Sequence, residues 1–180
     1  MTKKIIVKIS EGLGNQLFMY ANAYAISKRF NLNLNLDPYS GFYKNNLRKF
    51  MLNNFNISGH IAPSDWIFSS NYRHILKKIK IKLDFFRNKK SFLFDFKNKD
   101  KLTQYKPINL DNVDNIFYLD GNFESEKYFL DYRNDLLNEF SFKSSFDNNK
   151  YLEFINNYNV VSICIRQNGF SERITNKFNK

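Results

Sequence analysis

Near the N-terminus an apolar run of Ile5, Ile6, Val7 and Ile9 passes through Glu11-Gly12-Leu13-Gly14 into an amphipathic stretch over residues 17–29. β-Branched residues bounded by polar ones favour a short buried strand, and the following pattern favours a helix. A strand, a glycine turn and a helix in that order commit the chain to α/β packing. Gly12 and Gly14 leave backbone N–H groups uncovered by Cβ atoms, and the helix directs the positive end of its dipole at the turn. Such a junction can hold a diphosphate. It can equally be a plain structural turn, because the three spaced glycines of a dinucleotide fingerprint are absent.

The next segment continues the α/β order. Leu32, Leu34 and Leu36 alternate with Asn31, Asn33 and Asn35, which predicts a strand ended by Asp37-Pro38. Ala21, Ala23 and Ala25 let the first helix approach a sheet closely, while Leu17, Phe18, Tyr20, Tyr24 and Ile26 supply bulk to the core. From Pro38 to about Asn115 the periodicity is poor. Residues 50–57 and 92–96 read as short helices or strands, and a basic stretch at about 72–101 reads as an insertion. Order returns at Ile116 with a short strand through Leu119 and a turn at Gly121. A helix follows over residues 126–140, with Ser125 as its N-cap. A last helix at about 149–157 leads into Val160 to Ile165, whose nearly continuous apolar character suits a central parallel strand.

The expected class is therefore a Rossmann-like α/β domain with a parallel sheet at residues 1–158, followed at 159–180 by the first strand of a second domain. The chain has 180 residues, ample for one core and short for two nucleotide-binding domains. Hydrophobic residues make up 43% and aromatics 18%, enough to drive collapse rather than disorder. A single Cys excludes an intrachain disulfide and suits a reducing cytoplasm. The apolar run after Lys3-Lys4 is shorter than a secretory core, and no stretch has the length of a membrane helix. His60 and His74 have no carboxylate or thiolate at ligand spacing, so no metal is expected.

A net charge of +11 invites an anionic partner. Nucleic acid is not expected, since no recognised binding motif is present. The cations concentrate at Lys77, Lys78, Lys80, Lys82, Arg87, Lys89 and Lys90, interleaved with Ile75, Leu76, Ile79, Ile81, Leu83, Phe85 and Phe86. This basic amphipathic stretch fits either an anionic membrane surface or a solvated helix face.

Three motifs together resemble a known family. Gly12-Leu13-Gly14-Asn15-Gln16-Leu17-Phe18-Met19-Tyr20-Ala21 resembles the N-terminal signature of the bacterial α-1,2-fucosyltransferases, glycosyltransferase family eleven. Leu119-Asp120-Gly121-Asn122-Phe123-Glu124-Ser125-Glu126-Lys127-Tyr128-Phe129 is similar to that family's Gly-Tyr-Phe-Gln-Ser-Glu-Lys-Tyr-Phe segment. Val160 to Gly169 lines up with its His-x-Arg-Arg-x-Asp motif, but Cys164, Gln167 and Gly169 replace three of the motif residues and only Arg166 remains.

The resemblance implies the first domain of a two-domain GT-B-like enzyme, with the donor-binding domain cut short and completed, where completed at all, by a separate C-terminal half. It also implies transfer of L-fucose from GDP-fucose to the 2-hydroxyl of a galactoside, with inversion and without a metal. Arg166 is then the catalytic guanidinium, neutralising charge on the departing GDP with two parallel donors. Gly12, Leu13, Gly14, Asn15 and Gln16 join it in binding the donor. Asn15 reads either as a donor contact or as a turn-stabilising amide, and Gln16 as a helix cap. Asp120, Glu124 and Glu126 are the acceptor-side candidates for a proton acceptor, although capping and dipole compensation account for at least one of the glutamates. Cys164 reads as a small apolar packing group. With so much of the third motif replaced, GDP-fucose affinity is expected to be weak and activity impaired. The alternative is a non-catalytic module that binds glycan or a membrane surface.

Overall fold

The computed structural model describes residues 3–44, 47–95, 104–144, 155–161 and 163. The chain divides into two compact units, Met1–Ser144 and Ser145–Lys180; the boundary expected at 158 lies inside the second. The first unit is an α/β domain on a five-stranded, all-parallel sheet, Rossmann-like in layout. Its strands are β1 (Lys4–Lys8), β2 (Asn33–Asp37), β3 (His60–Ile61), β4 (Lys90–Phe94) and β5 (Val113–Asp120), in the spatial order β3-β2-β1-β5-β4.

The sheet's two faces follow from alternation along each strand. On one face Ile5, Val7, Leu34, Leu36, Phe117 and Leu119 pack under helix α1 (Leu13–Arg29), whose Met19, Tyr20, Ala21, Ala23 and Ile26 are all but fully buried. The three alanines predicted to allow close approach are buried here, as are Tyr20, Tyr24 and Ile26. On the other face Ile6, Phe92 and Tyr118 meet Trp66 and Phe68, which lie in the chain after β3. Helix α2 (Asn71–Arg87) covers this aromatic layer through Ile81. Central strands carry apolar side chains on both faces because both faces are roofed.

Residues 96–101 of the basic stretch lie outside the described residues; as far as Asp95 it forms a crossover helix and an edge strand that are integral to the fold rather than an insertion. Its helical nature rests on local signals: the Ser70 hydroxyl accepts a hydrogen bond from the Arg73 N–H at 3.2 Å, and Asn88 closes the helix at φ 48° in the left-handed region. Its apolar stripe is exposed and no α2 residue is fully buried, so the pattern reads as a surface segment rather than as part of the sheet's covering layer. The predicted helix over residues 126–140 is also revised. Two 3-10 turns, Glu126–Tyr128 and Leu130–Tyr132, precede a short α3 (Arg133–Glu139). Phe129, at φ −135°, interrupts them while its ring meets Phe18 edge-on at 5.8 Å. Tertiary packing of that aromatic outweighs local helix propensity. No side-chain hydrogen bond comes from Ser125 to cap the turn it precedes.

In the second unit, residues 155–157 are helical, in keeping with the predicted last helix, and 149–154 lie outside the described residues. Of the predicted strand at 160–165, Val160, Val161 and Ile163 are exposed and belong to none of the five strands, while 162, 164 and 165 lie outside the described residues. An apolar run is buried only where neighbouring strands supply partners.

Candidate functional site

Parallel sheets place ligands beyond the carboxyl ends of their strands, at the point where successive connections diverge. Here the chain walks outward from β1 through β2 to β3, then crosses to β4 and returns through β5 to lie beside β1. The divergence falls between β1 and β5, paired with Val7 opposite Leu119. Consequently the glycine turn and the segment beginning at Asp120 leave the sheet side by side. Two of the three sequence motifs meet at this edge.

The turn differs from its sequence reading in one respect. The left-handed residue is Glu11, at φ 65°, whereas Gly12 is extended at φ −76° and ψ 168°. Gly14 lies within the first turn of α1, which begins at Leu13, and a Cβ there would meet nothing within 4 Å. Neither glycine is demanded by the protein's own backbone or packing. What they do is leave the start of α1 open. Gly12, as the N-cap, offers no side chain to α1 and the first turn holds no acidic residue, so the N–H groups of Leu13, Gly14 and Asn15 have no intrahelical acceptors. The Nη1 atom of Arg48 comes within 3.9 Å of where a Gly12 Cβ would stand. A guanidinium and a helix N-terminus therefore converge on the same loop, a combination suited to a phosphate.

Gln16 holds this arrangement together. Its fully buried amide donates to the carbonyls of Glu11 at 3.0 Å and Lys49 at 2.8 Å, and its Oε1 accepts from the Met51 N–H at 2.9 Å. Rather than capping α1, Gln16 staples residues 49–51, and with them the neighbouring Arg48, to the turn. Gly41 packs closely on the backbone of Ile9 and Ser10, where a Cβ would lie 2.1 Å from the Ile9 carbonyl oxygen.

Across the divergence point, Asp120 receives ion pairs from Lys8 at the end of β1 and Lys77 of α2. Burial alone would raise its carboxyl, but the two ammonium groups outweigh that effect and hold it below the usual carboxylate range. Such a carboxylate is a poor proton acceptor. The Lys77 ammonium also lies over the Tyr118 ring at 4.9 Å and the Phe92 ring at 5.6 Å. Beneath it the Tyr118 hydroxyl donates to Asp37 at 2.6 Å, and Asp37 also accepts from the N–H groups of Tyr39 and Ser40. Burial and the adjacent Asp37 charge push the Tyr118 phenol well above its ordinary value.

The rest of the second motif is largely engaged in turning the chain. Gly121 passes so close to β4 that a Cβ would stand 2.3 Å from that of Asp95, and the Asn122 and Phe123 N–H groups donate to the Asp95 carboxylate. Glu124 accepts from the Asn122 side chain at 3.1 Å, and both Glu124 and Glu126 are exposed. Of the sequence-predicted residues, Gly12 to Gln16, Asp120, Glu124 and Glu126 thus gather at the carboxyl edge. Arg166, with Cys164, Gln167 and Gly169, lies outside the described residues.

Arg48, Lys8 and Lys77 were not anticipated. Arg48 sits in a segment without periodicity, and Lys77 is one of many lysines in a basic run; only the fold distinguishes them. His60 is exposed, and the His74 ring lies 5.7 Å from Tyr43, with burial and nearby lysines lowering its proton affinity. Among the described residues, no group of three or more His, Cys, Asp or Glu is placed to hold a metal. No described helix is long and apolar enough to cross a membrane. A cleft of about 350 Å³ lined by Ile81, Phe85, Asn88 and Asn112 lies at the opposite edge of the sheet from the glycine turn. The chain matches no protein-family model, no curated protein and no solved structure.

Proposed function

We propose that this chain is a glycosyltransferase of the α-1,2-fucosyltransferase type, using GDP-fucose as donor and a galactoside as acceptor. The observation that carries this reading is the uncapped start of α1, opened by two glycines that packing does not require and overlooked by Arg48. Departure of GDP develops negative charge on a phosphate oxygen. Amides at a helix N-terminus and a planar guanidinium stabilise that charge directly. In this scheme Asn15 supplies a hydrogen bond to the donor and Glu124 or Glu126 the carboxylate that takes the acceptor proton; the resemblance assigns Arg166 the role of the catalytic guanidinium. We assign the reaction to the cytoplasm, in keeping with the single Cys.

Backbone amide NMR of the full chain titrated with millimolar GDP and GDP-fucose tests the reading. The resonances of Leu13, Gly14 and Asn15 are expected to move, and Arg48→Ala to weaken the response about tenfold. Unmoved resonances at saturating nucleotide remove the basis for the proposal. Transfer to lactose by this chain is expected to be slow, given Gln167 and Gly169 in the third motif. A second reading, a non-catalytic module for glycans or membranes, draws on the exposed apolar residues of α2 and predicts no nucleotide response at all.

A further inference from the structure

Helix α2 meets the domain with the face that would ordinarily be outward. Arg73, Lys77, Lys80 and Asp84 point toward the aromatic layer or its margins: Arg73 donates to main-chain carbonyls before the helix, Lys77 pairs with Asp120, Lys80 lies 4.5 Å over the Trp66 ring, and Asp84 accepts from Ser91. The opposite face is apolar. Tyr72, Ile75, Ile79, Leu83 and Phe86 recur at steps of three and four and are 68, 57, 46, 49 and 82% exposed. At about 100° per residue these five, with half-buried Leu76, span an arc of about 100° along a helix roughly 26 Å long. A stripe of that size left in water is unusual on a soluble domain and marks a contact surface.

The charges beside it select the occupant. Lys78 and Lys82, both exposed, run along one margin of the stripe, and Arg87 stands at the other. The helix carries six Lys or Arg and one acidic residue, Asp84, which is turned inward. An apolar strip bordered by cations matches the boundary between acyl chains and anionic headgroups, with the helix axis in the plane of the surface. A second copy of the chain would bring these same cations face to face and be repelled.

We infer that α2 is a membrane-docking element that seats this domain on an anionic bilayer through Tyr72, Ile75, Ile79, Leu83 and Phe86, with Lys78 and Lys82 at the headgroups. The inference is independent of the nucleotide reading. Co-sedimentation of the full chain with vesicles of phosphatidylcholine alone, or with roughly one third phosphatidylglycerol, tests it. Binding is expected only to the anionic vesicles and to fall with added salt. The exposed pair Ile79→Asp and Leu83→Asp is expected to abolish it, and Lys78→Glu with Lys82→Glu to reduce it more than tenfold, with circular dichroism unchanged in both. Failure to sediment, equal binding to neutral vesicles, or undiminished binding by the Ile79→Asp/Leu83→Asp variant overturns the inference. So does a dimer in light scattering that the same variant dissolves, because the face then belongs to a second copy.

Discussion

At the scale of single residues, glycines of one sequence appearance have opposite reasons. Gly121 and Gly41 are dictated by neighbouring backbone and side-chain atoms, whereas Gly14 has open space where a Cβ would go. Gly121→Ala is therefore expected to cost about 2–4 kcal/mol in urea unfolding. Gly14→Ala is expected to stabilise the fold by about 0.5–1 kcal/mol, since alanine is the better helix former, while weakening the amide response to GDP. Loss of stability on Gly14→Ala would mean that the glycine serves the fold. Asn22 makes a similar contrast with Gln16. The Gln16 amide satisfies three backbone groups, but that of Asn22, wholly buried in α1, has no partner among the described residues. Burying an unpaired amide costs about 1–3 kcal/mol, so Asn22→Leu is expected to raise the thermal midpoint and Gln16→Leu to lower it.

Elements in this domain are joined by charge as well as by apolar contact. The link between α2 and the sheet centres on Lys77, which binds Asp120 under partial burial, the two side chains being 13 and 15% exposed. Because folding lowers the Asp120 pKa, its contribution to stability is complete above the unfolded carboxyl value of about 3.9 and is lost as pH falls through the lower folded value. Asp120→Asn is expected to flatten this acid limb in a denaturation series run from neutral pH downward. An unchanged limb would place the acid sensitivity elsewhere. A double-mutant cycle between Lys77→Met and Asp120→Asn is expected to show coupling of about 1–3 kcal/mol, above the value for an exposed pair. Glu139 links α3 to α1 in the same manner, accepting from the Tyr20 hydroxyl and from the Ser58 N–H at 2.7 Å, and burial raises the Tyr20 phenol accordingly.

For the molecule as a whole, the unit Met1–Ser144 contains all five described strands, α1 and α2 on the two faces of the sheet, and both described apolar clusters. A chain ending at Ser144 is expected to unfold in one cooperative transition, with a midpoint within a few degrees of the full chain. A broad or multistep transition would show that Met1–Ser144 is not a cooperative unit by itself. The charge of +11 is borne by a domain whose candidate site sits at one edge of the sheet and whose basic helix covers one face. Chemistry and docking can then occupy different surfaces.

Local pattern determined the strands β1, β2 and β5, helix α1 and the parallel α/β class, because β-branched runs, alternation and a glycine turn act over a few residues. The meeting of the Gly12 turn with Asp120 was only partly legible, since nothing in the spacing of residues so far apart gives strand order. Three decisions belonged to tertiary structure alone: Arg48 brought to the turn by the Gln16 staple, Lys77 drawn into an aromatic layer beside Asp120, and the apolar side of α2 turned to solvent. Each depends on contacts between segments remote in the chain, where packing and paired charge exceed the small energies of local propensity.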